Sequence, residues 1–298
     1  MYGTFRLSKY LSPKNSMGLY KLFGVQENID ILMHFLNDVF FSKNPFISVE
    51  LLPTFCQSRA SVIDALCIDK NGTKYIIEIQ IIKKFDSFEI WAPRYVSEAY
   101  SNQVSVEDKR YNVKEIIYIA IVADYEIFPN RSEYKWDHVT PEKSEYDLKN
   151  FFFNFIELSK FKKNKEELSS TAEKWCYFFK HAHETTEADL EKVIGKDDIF
   201  RRAYAALDQY HWTENEVMNY DRHTRIDMDH RAIMEQKFDE GRAIGLREVF
   251  EENKSEGDTD IELAKLLLKH RIGADIIAQH TNLSNKQIED LKRGIAAA

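Results

Sequence analysis

The stretch RASVIDALCIDKNGTKYIIEIQII, residues 59–82, limits the possible folds of this chain more than any other. Two runs rich in β-branched residues flank Asp69-Lys70-Asn71-Gly72-Thr73, the composition of two strands joined by a tight turn. In the second run Lys74, Ile76, Glu78 and Gln80 share one face, with Tyr75, Ile77, Ile79 and Ile81 on the other. The odd-numbered face is the core face. The even-numbered face mixes Ile76 with Glu78 and Gln80 and is half wet.

The turn decides where Asp64 falls. An Asp ahead of a type I turn, with Gly where positive φ is needed, suits a three-residue loop of Lys70, Asn71 and Gly72 with a bulge at Gly72. Asp69 then faces Thr73 and Asp64 stands opposite Glu78, their Cβ atoms about 5 Å apart. A two-residue Asn71-Gly72 loop instead sets Asp64 opposite Ile79 and sends the two carboxylates to opposite faces. We favour the three-residue loop. Two carboxylates side by side repel unless something positive lies between them, and a divalent cation would serve.

With 298 residues the chain is long enough for one large domain or two smaller ones. A hydrophobic content of 44% and an aromatic content of 13% exclude a disordered chain. The formal net charge of −8 excludes a general positive coat for nucleic acid, though it leaves room for a local basic cleft. Cys56, Cys67 and Cys176 form an odd set without metal-ligand spacing and read as reduced, buried thiols of a cytoplasmic protein. No apolar run approaches the roughly 18 residues of a membrane span, and no signal-peptide core follows the start. The expectation is a soluble protein with no membrane partner.

Taken in order, residues 1–11 read as a poorly specified arm, followed by a helix start at Ser12-Pro13 and a stop at Gly24. A second helix, 27–41, aligns Ile29, Leu32, Leu36, Val39 and Phe40, and places His34 on its polar side rather than as a ligand. Val49-Glu50-Leu51-Leu52 reads as a short strand, and Arg59, at the mouth of the next, is a candidate phosphate contact. After the hairpin come Lys84 and a helix over 87–104 that carries Arg94 and Gln103. The apolar run 115–122 reads as a strand buried on both faces, and 134–139 as an edge strand. From residue 151 onward the reading is helical: 151–160, 171–183 and 197–209. Residues 222–247 read as an exposed, charged linker helix broken at Gly241 and Gly245. Beyond 261 an amphipathic helix, a turn at 271–273 and two short helices follow, the last with a Ser284–Gln287 capping box. This end resembles a small helix-turn-helix, but its charges balance, so it suits protein contact at least as well as DNA reading.

Across the hairpin, the pattern Asp64-X13-Glu78-X-Gln80 resembles the core of a PD-(D/E)XK nuclease, with Gln80 in the place of the usual lysine. Further pieces resemble one branch of that superfamily, the recombination-promoting nucleases or nuclease-family transposases. They are Ser12-Pro13-Lys14-Asn15 with Lys21-Leu22-Phe23-Gly24, the stretch from Arg94-Tyr95 to Gln103, and Tyr111-Asn112-Val113-Lys114. Ile156-Glu157-Leu158-Ser159-Lys160-Phe161, Glu173-Lys174-Trp175, Tyr220 to Arg222, and the Gly241/Gly245 spacing complete the set. The resemblance spans nearly the whole chain.

It implies an α/β fold: a mixed central sheet of the restriction-endonuclease-like type flanked by helices, with an all-helical C-terminal extension. Residues 1–235 would form the nuclease-like core, and 236–298 the linker helix and C-terminal module. The implied activity is Mg²⁺-dependent (or Mn²⁺-dependent) DNA hydrolysis, without a nucleotide cofactor and with a possible homo-oligomer. Asp64, Glu78 and the Ile79 backbone carbonyl would hold the metal, and Gln80 would orient the attacking water. Arg59, Lys84, Arg94 and Gln103 would meet nucleic acid. Lys84 is about 13 Å along the strand from Gln80, too far to replace the missing lysine without a bend. The family places an acid at the position of Ser16, which leaves the site one ligand short, with Glu27 the substitute candidate. Two other readings stand beside this one: a member that has lost catalysis and only binds DNA or protein, and an amphipathic hairpin whose acids are merely its solvated face.

Overall fold

The computed structural model describes residues 8–41, 45–51, 62–70, 74–82, 97, 115–138, 151–195, 197–252 and 259–296. The chain divides into two compact units, Met1–Arg225 and Ile226–Ala298.

The first unit is built on a six-stranded mixed sheet. Its strands are β1 (Phe46–Leu51), β2 (Val62–Asp69), β3 (Lys74–Ile82), β4 (Glu115–Val122), β5 (Lys135–His138) and β6 (Phe151–Glu157), in the spatial order β1-β2-β3-β4-β6-β5. β1, β2 and β3 are successively antiparallel, β4 runs parallel to both β3 and β6, and β5 closes the far edge antiparallel to β6. Three antiparallel and two parallel pairings thus share one sheet. Residues 116–122 of β4 are buried without a break, as a central strand covered on both faces demands.

One face of the sheet carries the helices α1 (Ser16–Phe23), α2 (Ile29–Val39), α3 (Thr171–His181), α4 (Glu187–Ile194) and α5 (Asp198–Ala206). Cys67, Ile81, Ile117, Ile119 and Ile121 meet Leu19, Phe23, Phe35, Trp175, Phe178 and Phe179 there in one core. Trp175 is its centre, fully buried and 4.6 Å from the Phe200 ring and 5.3 Å from Phe35, centroid to centroid. Short polar side chains begin these helices: Asn15 accepts from Met17 N, Ser170 from Glu173 N, Thr186 from Asp189 N, and Asp197 from Ile199 N.

The structure differs from four sequence expectations. The first helix starts at Ser16 behind the Asn15 cap, not at Ser12-Pro13. Residues 151–157 form a strand, not a helix. Phe151, Phe152, Phe153 and Phe155 satisfy either period, and a strand buried between β4 and β5 has no polar face to betray its twofold repeat. Residues 222–247 are not broken at Gly241 and Gly245, because helix α6 (Glu214–Glu252) runs through both. An interior glycine weakens a helix by about 1 kcal/mol and does not end it when its neighbours are strong helix formers. Residues 8–11, expected as part of a loose arm, are tied down. Leu11 N donates to Leu207 O at 2.8 Å, Tyr10 bridges Asp208, and both Tyr10 and Leu11 are buried. The edge strand expected over 134–139 is β5.

The second unit packs helices α7 (Asp260–Lys269), α8 (Ala274–His280) and α9 (Asn285–Ala296) with the end of α6. Leu263, Leu267, Ile272, Ile277 and Ile288 meet Ala243, Leu246 and Phe250 in a separate small core. Ser284 and Gln287 form the expected reciprocal capping box, Ser284 N donating to Gln287 Oε1 at 2.9 Å. Among the described residues no helix is long and apolar enough to cross a membrane.

Candidate active site

The hairpin register pairs Asp64 with Glu78, Val62 with Gln80 and Ile68 with Lys74. This is the register that a loop of Lys70, Asn71 and Gly72 requires, and it sets the two acid positions directly across from each other. Asn71 and Gly72 themselves lie outside the described residues, as do Arg59, Lys84, Arg94, Gln103, Cys56 and all of the expected helix 87–104 except residue 97.

Sheet register carries the same row onward. Glu78 pairs with Tyr118 on β4, and Tyr118 with Phe153 on β6; one step along, Gln80 pairs with Ala120, and Ala120 with Phe155. Tyr118 and Ala120 are fully buried, and the Tyr118 and Phe153 rings lie 5.9 Å apart. Toward β1 the face opens instead, because Ser48 and Glu50 are exposed. In register, the acid positions therefore lie between the buried positions of β4 and the exposed positions of β1.

The Cys67 thiol is fully buried, and burial pushes its pKa up to about 12, so it stays protonated and unreactive. Cys67 and Cys176 are both free and buried. Asp69, at the turn end of β2, is buried and accepts a long hydrogen bond from Tyr75 Oη at 3.5 Å.

Among the described residues, the pieces at 12–15, 156–161, 173–175 and 220 that gave the family resemblance are scaffold. Asn15 caps α1 and also donates to Thr224 Oγ1 at 3.0 Å and Tyr220 O at 3.4 Å, while Ser12 N donates to Tyr220 Oη at 3.0 Å. The start of α1 is thereby fastened to α6. The loop that enters α1 folds back on the helix so closely that a Cβ on Gly18 would lie 2.2 Å from Ser12 O. Glu157, fully buried, receives Lys160 Nζ at 2.7 Å and Ile127 N at 2.6 Å, and Ser159 Oγ donates to Tyr125 O at 2.8 Å. These bonds staple the loop after β4. Glu173 accepts from Lys163 Nζ and from Ser169 N and Oγ. Burial alone would raise the Glu173 pKa, but those donors outweigh it and hold the carboxyl below its ordinary range.

His34 is half-buried on α2. Trp175 Nε1 can only donate, and it lies 3.3 Å from His34 Nδ1, so Nδ1 accepts and the ring proton sits on Nε2, facing Asp38 at 3.0 Å and Asp197 at 3.6 Å. These partners are distant in sequence except for Asp38, and they make the histidine a core support. Ser16 begins α1, and Glu27 is exposed in a short 3-10 turn whose backbone carbonyl accepts from Arg202. Among the described residues no three His, Cys, Asp or Glu side chains form a group that could hold a metal.

Comparison with known proteins gives one match. The sequence profile described as "PD-(D/E)XK nuclease family transposase" fits residues 13–237. Nothing matches among curated proteins or among solved structures.

Proposed function

The chain belongs to the PD-(D/E)XK nuclease family transposases, and from that premise we propose that it is a divalent-cation-dependent DNA endonuclease with a restriction-endonuclease-like sheet. The observation that carries this reading is the register pairing of Asp64 with Glu78 beside the buried Tyr118. Two carboxylates and the Ile79 carbonyl are hard oxygen donors, the set that Mg²⁺ or Mn²⁺ prefers over soft metals. A bound cation of this kind lowers the pKa of a coordinated water and draws charge from a phosphate oxygen.

The protein's own groups do the rest. Asp64 and Glu78 hold the charge in place and fix the approach of the phosphodiester. Gln80, an amide without basic character, accepts a hydrogen bond from the attacking water and aims it, and it takes no proton. Arg59, Lys84, Arg94 and Gln103 are the proposed contacts to the DNA.

The test is conversion of supercoiled plasmid by purified protein, with Mg²⁺, with Mn²⁺ and with neither. Cutting should need the cation and should vanish in Asp64→Ala. Ser16, standing where the family has an acid, favours a second reading, a catalytically degenerate member that binds DNA or protein. Cation binding without cutting under every condition would select that reading.

A further inference from the structure

In the second unit, α6 carries apolar side chains that its own core does not use. Ala243, Leu246 and Phe250 face that core, whereas Ile226, Ile233 and Ile244 are exposed, by 51%, 56% and 48%. The three isoleucines are 7 and 11 residues apart, about two and three turns at 3.6 residues per turn, so they form one straight row along the helix. At about 100° per residue, that row lies more than a quarter turn away from Ala243, Leu246 and Phe250. From Met228 to Phe238 every side chain is exposed except the half-buried Met234, so no side of this stretch is packed. A bare helix is marginal in water, because most helical stability comes from burying one face.

Charged side chains flank the row. The same rotation sets Asp229, Glu240 and Arg247 along one side of it and His230, Lys237 and Glu248 along the other. Lys237 and Glu240 bond to each other at 2.7 Å. Asp229, His230, Arg247 and Glu248 have no hydrogen bond or ion pair among the described residues. When two copies of the helix lie parallel and in register, one flank of each meets the opposite flank of the other. Each isoleucine then meets its own counterpart. Asp229 meets His230 of the second copy and Arg247 meets Glu248 of the second copy, each offset by a single rise of about 1.5 Å. Twofold symmetry makes every such pair twice. An antiparallel pair with Ile233 on Ile244 satisfies the same charges but sets Ile226 against Glu251, so the isoleucine row selects the parallel one. DNA suits this face poorly, because Asp229, Glu240 and Glu248 offset His230, Lys237 and Arg247.

We propose that α6 is a homodimerisation helix. Residues 226–248 of two copies pair in parallel through Ile226, Ile233 and Ile244, with Asp229–His230 and Arg247–Glu248 bridges along the flanks. The pairing would place two copies of the Asp64–Glu78 hairpin in one particle. It does not rest on the nuclease reading.

The experiment is sedimentation velocity of the full-length protein over about 1–100 µM, a range suited to a small interface. The parent should move toward twice its 35.1 kDa mass as concentration rises. Ile233→Glu sets a carboxylate against its own counterpart and should weaken association at least tenfold, with circular dichroism confirming the fold. Arg247→Glu should also weaken it, and Arg247→Glu with Glu248→Arg should restore it. Loss of folding cannot produce that rescue, and neither can an antiparallel pair, in which Arg247 meets Asp229. Ile233→Cys, in a Cys56→Ser background, should form a disulfide-linked dimer on mild oxidation. A parent that stays monomeric throughout the range overturns the proposal, and so does a dimer that persists in a folded Ile233→Glu variant. Cross-linking only when Ile233→Cys and Ile244→Cys chains are mixed overturns the parallel register. Plasmid cutting is scored separately: its absence in a dimeric parent sinks only the nuclease, and cutting by a monomeric parent sinks only the dimer.

Discussion

Asp64 and Glu78 share a cross-strand pair, and two like charges so placed destabilise the hairpin unless a cation joins them. Asp64→Ala should therefore abolish cutting while leaving the melting temperature equal or higher, measured without metal. A variant that melts, and that cuts again once a second change restores its stability, would make Asp64 structural. Gln80→Ala should slow cutting by roughly 10²–10³, the usual loss for one positioned polar group, with cation affinity unchanged. Gln80→Lys should be tolerated; if its ammonium instead pairs with the acids, the cation requirement rises at an unchanged saturating rate. Equal rates for Gln80→Ala and the parent at every metal concentration would end the role given to Gln80. Glu173 supplies a prediction about pH. Its folded pKa is depressed, so its contribution is present above the ordinary glutamate pKa of about 4.3 and is lost as pH falls through the lower folded value. Glu173→Gln should be less stable than the parent at neutral pH, and the two unfolding curves should converge in acid. A constant gap at every pH would mean that the carboxylate charge contributes nothing.

Among the elements, β6 and α6 show how local pattern and fold part company. Four phenylalanines in 151–155 fit a helix or a strand equally, and the choice falls to strand because β4 and β5 present unpaired edges on either side. In α6 the signal was the reverse: two glycines suggested an interruption that the helix does not make. A Cβ on Gly241 or Gly245 would meet nothing within 4 Å. Gly241→Ala and Gly245→Ala should each raise stability by about 1 kcal/mol, as interior helix substitutions without a clash do. Chemical denaturation checks this, and a loss of stability would show that the glycine backbone is needed in some other state of the helix.

Two compact units in one chain raise the question of what the second contributes. No residue proposed for catalysis lies beyond 225, and the module around Leu263, Ile277 and Ile288 has its own core. Deleting residues 261–298 should weaken DNA affinity or assembly yet leave cation-dependent cutting; complete loss in a folded truncation would place part of the site there. The sequence by itself determined the hairpin, its register, the doubly buried β4, the free, buried Cys67 and Cys176 and the helical C-terminus. Each of these rests on local rules: turn chemistry, strand alternation, an unbroken apolar run, cysteine spacing and helix capping. Only the tertiary structure decided that 151–157 is a strand, that Trp175 gives His34 its tautomer, and that Glu157 is a buried staple rather than a surface acid. Such outcomes depend on which partner each segment meets across the fold, because burial and pairing energies between distant residues outweigh the small preferences of any short stretch.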